Sequence, residues 1–98
     1  MAPHVYVEDL KNHVGQEVTL KGWLYNMAGK GKLFFLQVRD GSGIVQAVVS
    51  KAEVLEEVFV RIGTLKQEAS IIVIGTVRED TRSALGVELG VKQLESVA

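Results

Sequence analysis

The chain has no cysteine, one proline, two histidines and six aromatic residues in 98 positions. Without cysteine there is no disulfide framework, no thiolate metal site and no cysteine nucleophile. Two histidines, His4 and His13, supply too few ligands for a zinc-type centre, so no metal site is expected. No apolar run approaches the roughly 18 residues of a membrane-spanning helix, and the N-terminus MAPHVYVEDL lacks the apolar core of a signal peptide. The expectation is a soluble, cytoplasmic protein. An excess of positive charge is also missing. Eleven Lys and Arg face twelve Asp and Glu, giving a net charge of -1 and a pI near 6.1. General phosphate binders carry a clear basic excess. Any nucleic-acid binding here has to be local and directed at bases, or has to borrow charge from another domain, and is expected to be weak.

What is present is alternation. Side chains of a strand point to opposite faces in turn. In LFFLQVRD, Phe34, Leu36 and Val38 share one parity, while Phe35 shares the other with Gln37 and Arg39. In the following run, Val45, Ala47 and Val49 point one way and Gln46 the other. If the second face is wet, it carries an aromatic ring and an amide. Such a pair suits a reader of single-stranded nucleic acid, because a ring stacks on a base and an amide bonds its edge.

Residues 1–98 read as one domain, large enough for a hydrophobic core of its own. Residues 7 to 13 suit a short helix. Residues 16 to 27 form a first strand with Val18, Leu20 and Leu24 inward, and Gly22 marks a bulge or bend. Ala28 to Gly31 make a turn, residues 32 to 39 a second strand, Asp40 to Gly43 another turn, and 44 to 49 a third strand. Ser50 and Glu53 stand at capping-box spacing. They open a helix on which Val54, Val58, Ile62 and Leu65 recur on one face. Residues 70 to 79 form a fourth strand, apolar on both parities as if the helix covered it. Residues 80 to 85 are a loop, and 86 to 95 a fifth strand with Val87, Leu89 and Val91 inward. The fold class is all-β with one intervening helix, and the order matches the five-stranded OB-fold barrel.

Other chemistry finds little support. Gly29 and Gly31 flank Lys30, but they join two strands, so the phosphate-loop reading fails its context. Glu53, Glu56 and Glu57 are explained by capping and by a Glu57–Arg61 pair. Arg39 and Asp40 are expected to serve the turn, and Trp23 to pack over a barrel end. No nucleophile has a catalytic context, so no catalytic residue, cofactor or enzyme activity is expected.

The segments Gly22-Trp23-Leu24, Gly31-Lys32-Leu33-Phe34-Phe35-Leu36, Arg39-Asp40-Gly41 and Gly43-Ile44-Val45-Gln46 occur in that order. Together they resemble the N-terminal anticodon-binding domain of class II aminoacyl-tRNA synthetases, in the aspartate, asparagine and lysine subgroup. Val58-Phe59, Gln67-Glu68-Ala69-Ser70, Gly75-Thr76-Val77-Arg78 and Gly86-Val87-Glu88-Leu89 look most like the asparaginyl enzymes. The resemblance runs from about Val5 to Val97. It implies that Phe35 stacks on the central anticodon uridine and that Gln46 hydrogen-bonds it; Asn26, Lys30 and Arg78 are expected as lesser contacts. Glu88 is the nearest candidate for reading a flanking base. A basic residue that the family places at the end of the first strand falls at Ala28 here. The family's catalytic domain has no counterpart in these residues, so the partner expected is a tRNA anticodon loop or other single-stranded RNA, bound weakly by a monomer. The alternative is an engineered, reconstructed or repurposed OB scaffold that binds a protein or itself. Val60, Leu85, Met27 and Ala28 stand where polar residues would otherwise serve.

Overall fold

The computed structural model describes residues 3–97. Five strands, β1 (Glu17–Lys30), β2 (Leu33–Asp40), β3 (Gly43–Ser50), β4 (Ser70–Glu79) and β5 (Val87–Val97), close into a barrel in the order β1-β2-β3-β5-β4. All neighbours are antiparallel except β3 and β5, which are parallel. The inward parity of every strand fills the barrel. Leu20, Leu36, Val38, Ala47, Val49, Val73, Leu89 and Val91 have no exposed surface. A 3-10 helix (Val7–His13) closes one end with Val7 and Leu10 buried. The expected five-stranded OB barrel is thus the observed fold.

β1 is long enough to serve two neighbours. Residues 17–23 pair with β4 and residues 23–30 pair with β2, so Trp23 faces both Ser70 and Arg39. Gly22 lies at this handover. A β-carbon there would collide with the carbonyl oxygen of Arg39, so glycine permits the close approach of β1 to β2. The bulge itself lies later, between Leu24 and Asn26. The β1–β2 turn is tighter than Ala28–Gly31. β1 continues to Lys30, which pairs with Leu33, and Gly31 takes φ 63° at the first of two loop residues. That is the type II′ position, where glycine is favoured.

The capping box does not form. β3 runs on through Ser50, and the amide of Lys51 donates to the Lys32 carbonyl at 2.9 Å, extending the hairpin. Ser50 therefore belongs to a strand end and a turn: its hydroxyl accepts from the Ala52 amide at 3.3 Å. The helix α1 (Glu56–Ile62) starts after Leu55, which is extended and makes no side-chain cap. Val58 and Ile62 are buried, and Phe59 stacks on Phe34 with centroids 4.7 Å apart. Arg61 donates to the Leu94 carbonyl at 3.3 Å, tying the helix to β5 in place of a Glu57 pair. On the outer face of β4, Ile74 lies beside Leu55 and Val58 at the helix start. Ile72, instead of sitting under the helix, lines an open groove with Tyr6 and Trp23.

The N-terminal segment is fastened to the barrel. The Thr19 amide donates to the Pro3 carbonyl at 2.7 Å and the Val5 amide to the Thr19 carbonyl at 3.0 Å, so His4 stands on a held backbone.

Candidate nucleic-acid interface

On β2, Leu36 and Val38 point into the barrel, while Phe35 is half-buried and Gln37 and Arg39 are exposed on the outside. On β3, Val45, Ala47 and Val49 point inward and Ile44, Gln46 and Val48 outward. The register sets Phe35 opposite Val48, Gln37 opposite Gln46 and Arg39 opposite Ile44. From β1, Ala28 stands opposite Phe35 and Asn26 opposite Gln37. Phe35 and Gln46 are therefore diagonal neighbours, about 7–8 Å apart, within reach of one ligand.

The β4–β5 loop gives this face a wall. Asp80 and Gly86 close the loop by an amide-to-carbonyl bond of 3.0 Å, and the Asp80 carboxylate accepts from the Arg82 amide at 3.1 Å. Leu85 packs against the core from the loop. Between loop and sheet lies a cleft of about 620 Å³, lined by Phe35, Gln37, Ile44 and Gln46 on one side and Asp80, Arg82, Ser83, Ala84 and Leu85 on the other. A smaller depression of about 110 Å³ adjoins it, lined by Asn26, Met27, Ala28, Phe35, Gln37 and Gln46. Phe35, Gln37 and Gln46 border both.

Of the six residues predicted for the site, the structure brings together Asn26, Phe35 and Gln46. Asn26 turns its amide oxygen back to accept from the Met27 amide at 2.9 Å, which leaves its NH2 group outward-facing as a donor. Lys30 is exposed beside the β1–β2 turn and lines neither depression. Arg78 and Glu88 pair across β4 and β5 with N to O of 2.7 Å, and each is thereby committed to the other. Glu88 precedes Leu89, the partner of Ala47, so it shares an outward row with Gln46 but lines neither depression. Gln37, Ile44 and Arg82 line the cleft without having been predicted. Parity alone would place Gln37 and Ile44 there, whereas nothing local marks Arg82.

The β2–β3 turn at the far end of the face is built on Asp40. Its carboxylate accepts from the amides of Val7 (2.9 Å), Ser42 (2.7 Å) and Gly43 (3.1 Å) and from the Ser42 hydroxyl (2.7 Å). Burial by itself would raise the pKa of this carboxyl. The bond from the Ser42 hydroxyl and those from the three amides outweigh burial and hold the pKa below the usual 3.8. Asp40 thus serves the turn, as expected. Arg39 does not: its guanidinium lies 5.9 Å from the Trp23 ring centroid and 5.4 Å from that of Tyr25. Trp23 covers no barrel end. It stands outside, 41% exposed, because it alternates with buried Leu24. His13 pairs through Nδ1 with Gln16 Oε1 at 2.8 Å, and the His4 ring tilts against Tyr6 at 5.3 Å.

Comparison with known proteins agrees with the fold. Asparagine–tRNA ligase of Herpetosiphon aurantiacus is 48% identical over 97 residues, covering 99% of this chain and 22% of that protein. The Deinococcus deserti ligase is 50% identical over 92 residues, covering 94% and 21%. The crystal structure of asparaginyl-tRNA synthetase from Pyrococcus horikoshii superposes with a TM-score of 0.90 at 42% identity, covering 99% of this chain and 23% of that one. An OBody, AM2EP06, bound to hen egg-white lysozyme has the same fold at 22% identity, with a TM-score of 0.81 over 95% of this chain and 91% of its own. The chain spans about a fifth of the length of the ligases it matches, and the rest of those enzymes, with its catalytic domain, has no counterpart in these residues. The tRNA anti-codon family, described as an OB-fold nucleic acid binding domain, matches residues 18–97, and the chain belongs to that family.

Proposed function

We propose that this barrel binds the anticodon loop of a tRNA and reads its central base on the β2–β3 face, as the anticodon-binding part of an asparagine–tRNA ligase working in the cytoplasm. One observation carries the reading. The half-buried ring of Phe35 and the amide of Gln46 stand diagonally on one outward face and border both depressions. A ring supported on one side and open on the other offers a π-face to any base. A glutamine amide both donates and accepts, which matches the adjacent acceptor and donor on the edge of uracil. Asn26 stands with Phe35 and Gln46 at the smaller depression as a lesser contact, while Lys30 and the Arg78–Glu88 pair stand further out, towards flanking nucleotides. With a net charge of -1, counterion release is small, so the isolated barrel binds weakly, as a monomer.

One feature favours a protein-binding reading. Met27 and Ala28 by Phe35, and Ile44 further along the cleft, are apolar, and none of the sheet residues lining the two depressions is basic. OBodies of this fold bound to hen egg-white lysozyme are an instance of that use of an OB barrel.

Amide shift mapping by NMR with an anticodon stem-loop separates the two. Shifts concentrated at residues 26–28, 35–37, 44–48 and 82–85 support RNA reading. Shifts confined to α1 and the opposite barrel wall, or none, overturn it.

A further inference from the structure

A glutamine amide carries a donor and an acceptor side by side, and a half-turn of its end exchanges them. Uracil presents a donor at N3 beside an acceptor at O4. Cytosine presents an acceptor at N3 beside a donor at N4. For a base held in place by its stack on Phe35, one orientation of the Gln46 amide fits uracil and the other fits cytosine. Gln46 by itself therefore does not tell the two apart. Its outward neighbours on β3, Ile44 and Val48, are apolar and cannot hold the amide one way round.

The polar neighbours lie across the strands. Gln37 stands opposite Gln46, and Asn26 opposite Gln37, so amides from three strands form one outward row. Opposed residues have Cβ atoms about 4.5–5.5 Å apart, within reach of such side chains. All three line the smaller depression. The β1 bulge puts Asn26 in the row. Leu24 pairs with Val38, and skipping Tyr25 brings Asn26 opposite Gln37. The segment before β4 holds the bulge: the Glu68 amide donates to the Leu24 carbonyl at 2.7 Å, and Gln67 Nε2 to the Tyr25 carbonyl at 3.0 Å.

Both ends of the row have a fixed polarity. A backbone N–H only donates, so the 2.9 Å bond from the Met27 amide fixes which end of the Asn26 amide is oxygen and leaves its NH2 outward. At the other end, Ala47 pairs with Leu89 in parallel register, which sets Glu88 beside Gln46. Glu88 is held by Arg78 at 2.7 Å, and as a carboxylate it only accepts. Between these ends, the side chains of Gln37 and Gln46 have no hydrogen-bond partner among the described residues.

We propose that Asn26 and Gln37 are positioning residues which, with Glu88 at the far end, set the orientation of the Gln46 amide and so select uridine over cytidine. The inference rests on the RNA reading given above. When the base is seated, the Asn26 NH2 donates to the Gln37 oxygen and the Gln37 NH2 to the Gln46 oxygen. The Gln46 NH2 then turns towards Glu88. Each amide oxygen keeps a second lone pair and each NH2 a second hydrogen. On Gln46 these face the base, the oxygen for uracil N3–H and the NH2 for O4. Cytosine in the same place sets donor against donor and acceptor against acceptor.

The probes are two anticodon stem-loops that differ only in a central uridine or cytidine, titrated against the unaltered chain, Gln37→Met and Gln37→Glu. The unaltered chain should prefer the uridine roughly tenfold or more. Gln37→Met keeps the reach of the side chain but breaks the row, so most of that preference should vanish. Gln37→Glu offers acceptors only. It draws the Gln46 NH2 towards β2 and should move the preference further, to the cytidine, while its charge weakens both loops alike. A merely structural role for Gln37 would not produce that order. Thermal unfolding checks that both variants fold. Undiminished preference for uridine in both variants would overturn the positioning role and leave the RNA reading standing. Equal affinity of the unaltered chain for the two loops, or no binding to either, would overturn both.

Discussion

The carboxylate of Asp40 accepts the backbone amide of Val7 at 2.9 Å, joining the β2–β3 turn to the 3-10 helix across 33 residues of sequence. Asp40 is 8% exposed, the one buried charged residue among those described, and each of its bonds favours the ionised form. Its folded pKa lies below the unfolded value, so its contribution to stability is complete above the unfolded pKa. That contribution falls as pH drops below about 4–5 and is lost once the folded pKa is passed. Urea unfolding at pH 7 and pH 3 should show a stability loss that Asp40→Asn largely lacks. At pH 7, Asp40→Ala should cost about 2 kcal/mol or more, since it strands buried amides.

Gly22 should tolerate no side chain. Gly22→Ala places a β-carbon against the Arg39 carbonyl, a backbone atom that cannot turn aside. The expected loss is about 1–3 kcal/mol in chemical denaturation. An unchanged midpoint would mean that β1 and β2 separate at little cost.

Phe35→Ala should weaken binding to an anticodon stem-loop by about 1–3 kcal/mol, the worth of one base stack. Its thermal midpoint should move little, because the ring lies outside the barrel core. If the variant unfolds instead, Phe35 is a packing residue and the stacking role fails.

Ala28 stands opposite Phe35 and lines the smaller depression. Ala28→Arg places a guanidinium beside the proposed base. It should strengthen RNA binding by about 1.5–3 kcal/mol, the value of a charge-assisted hydrogen bond. The salt dependence should also steepen by about one counterion. Affinities measured at two salt concentrations check both effects.

Much of this arrangement was legible in alternation. Parity alone separates Phe35 from Phe34 and puts Gln46 opposite to Val45 and Ala47, because a strand offers only two faces. β4 was found at its observed bounds, since Ser70–Glu79 is unbroken and strongly β-branched. Legibility ended where two elements compete for one residue. Ser50 has a capping pattern to its C-terminal side and a ladder partner, Leu33, on β2, and the ladder prevails. Gly22 rightly signalled irregularity in β1, yet the bulge falls at Tyr25. Its position depends on how β1 divides its pairing between β2 and β4, which no local pattern records. For Trp23, the bend of β1 argues for packing over a barrel end, but alternation with Leu24 sends the ring outward. Arg82 reaches the cleft only because the β4–β5 loop folds back over the sheet, a tertiary fact without a local signal.

The most direct test of the central claim is a titration of this chain with an anticodon stem-loop carrying a central uridine, beside one with that base changed, at low and moderate salt. The account predicts saturable, weak binding that prefers the uridine at both salt concentrations, because selectivity comes from Phe35 and Gln46 rather than from charge. Equal affinity for the two loops, or no binding to either, would contradict it.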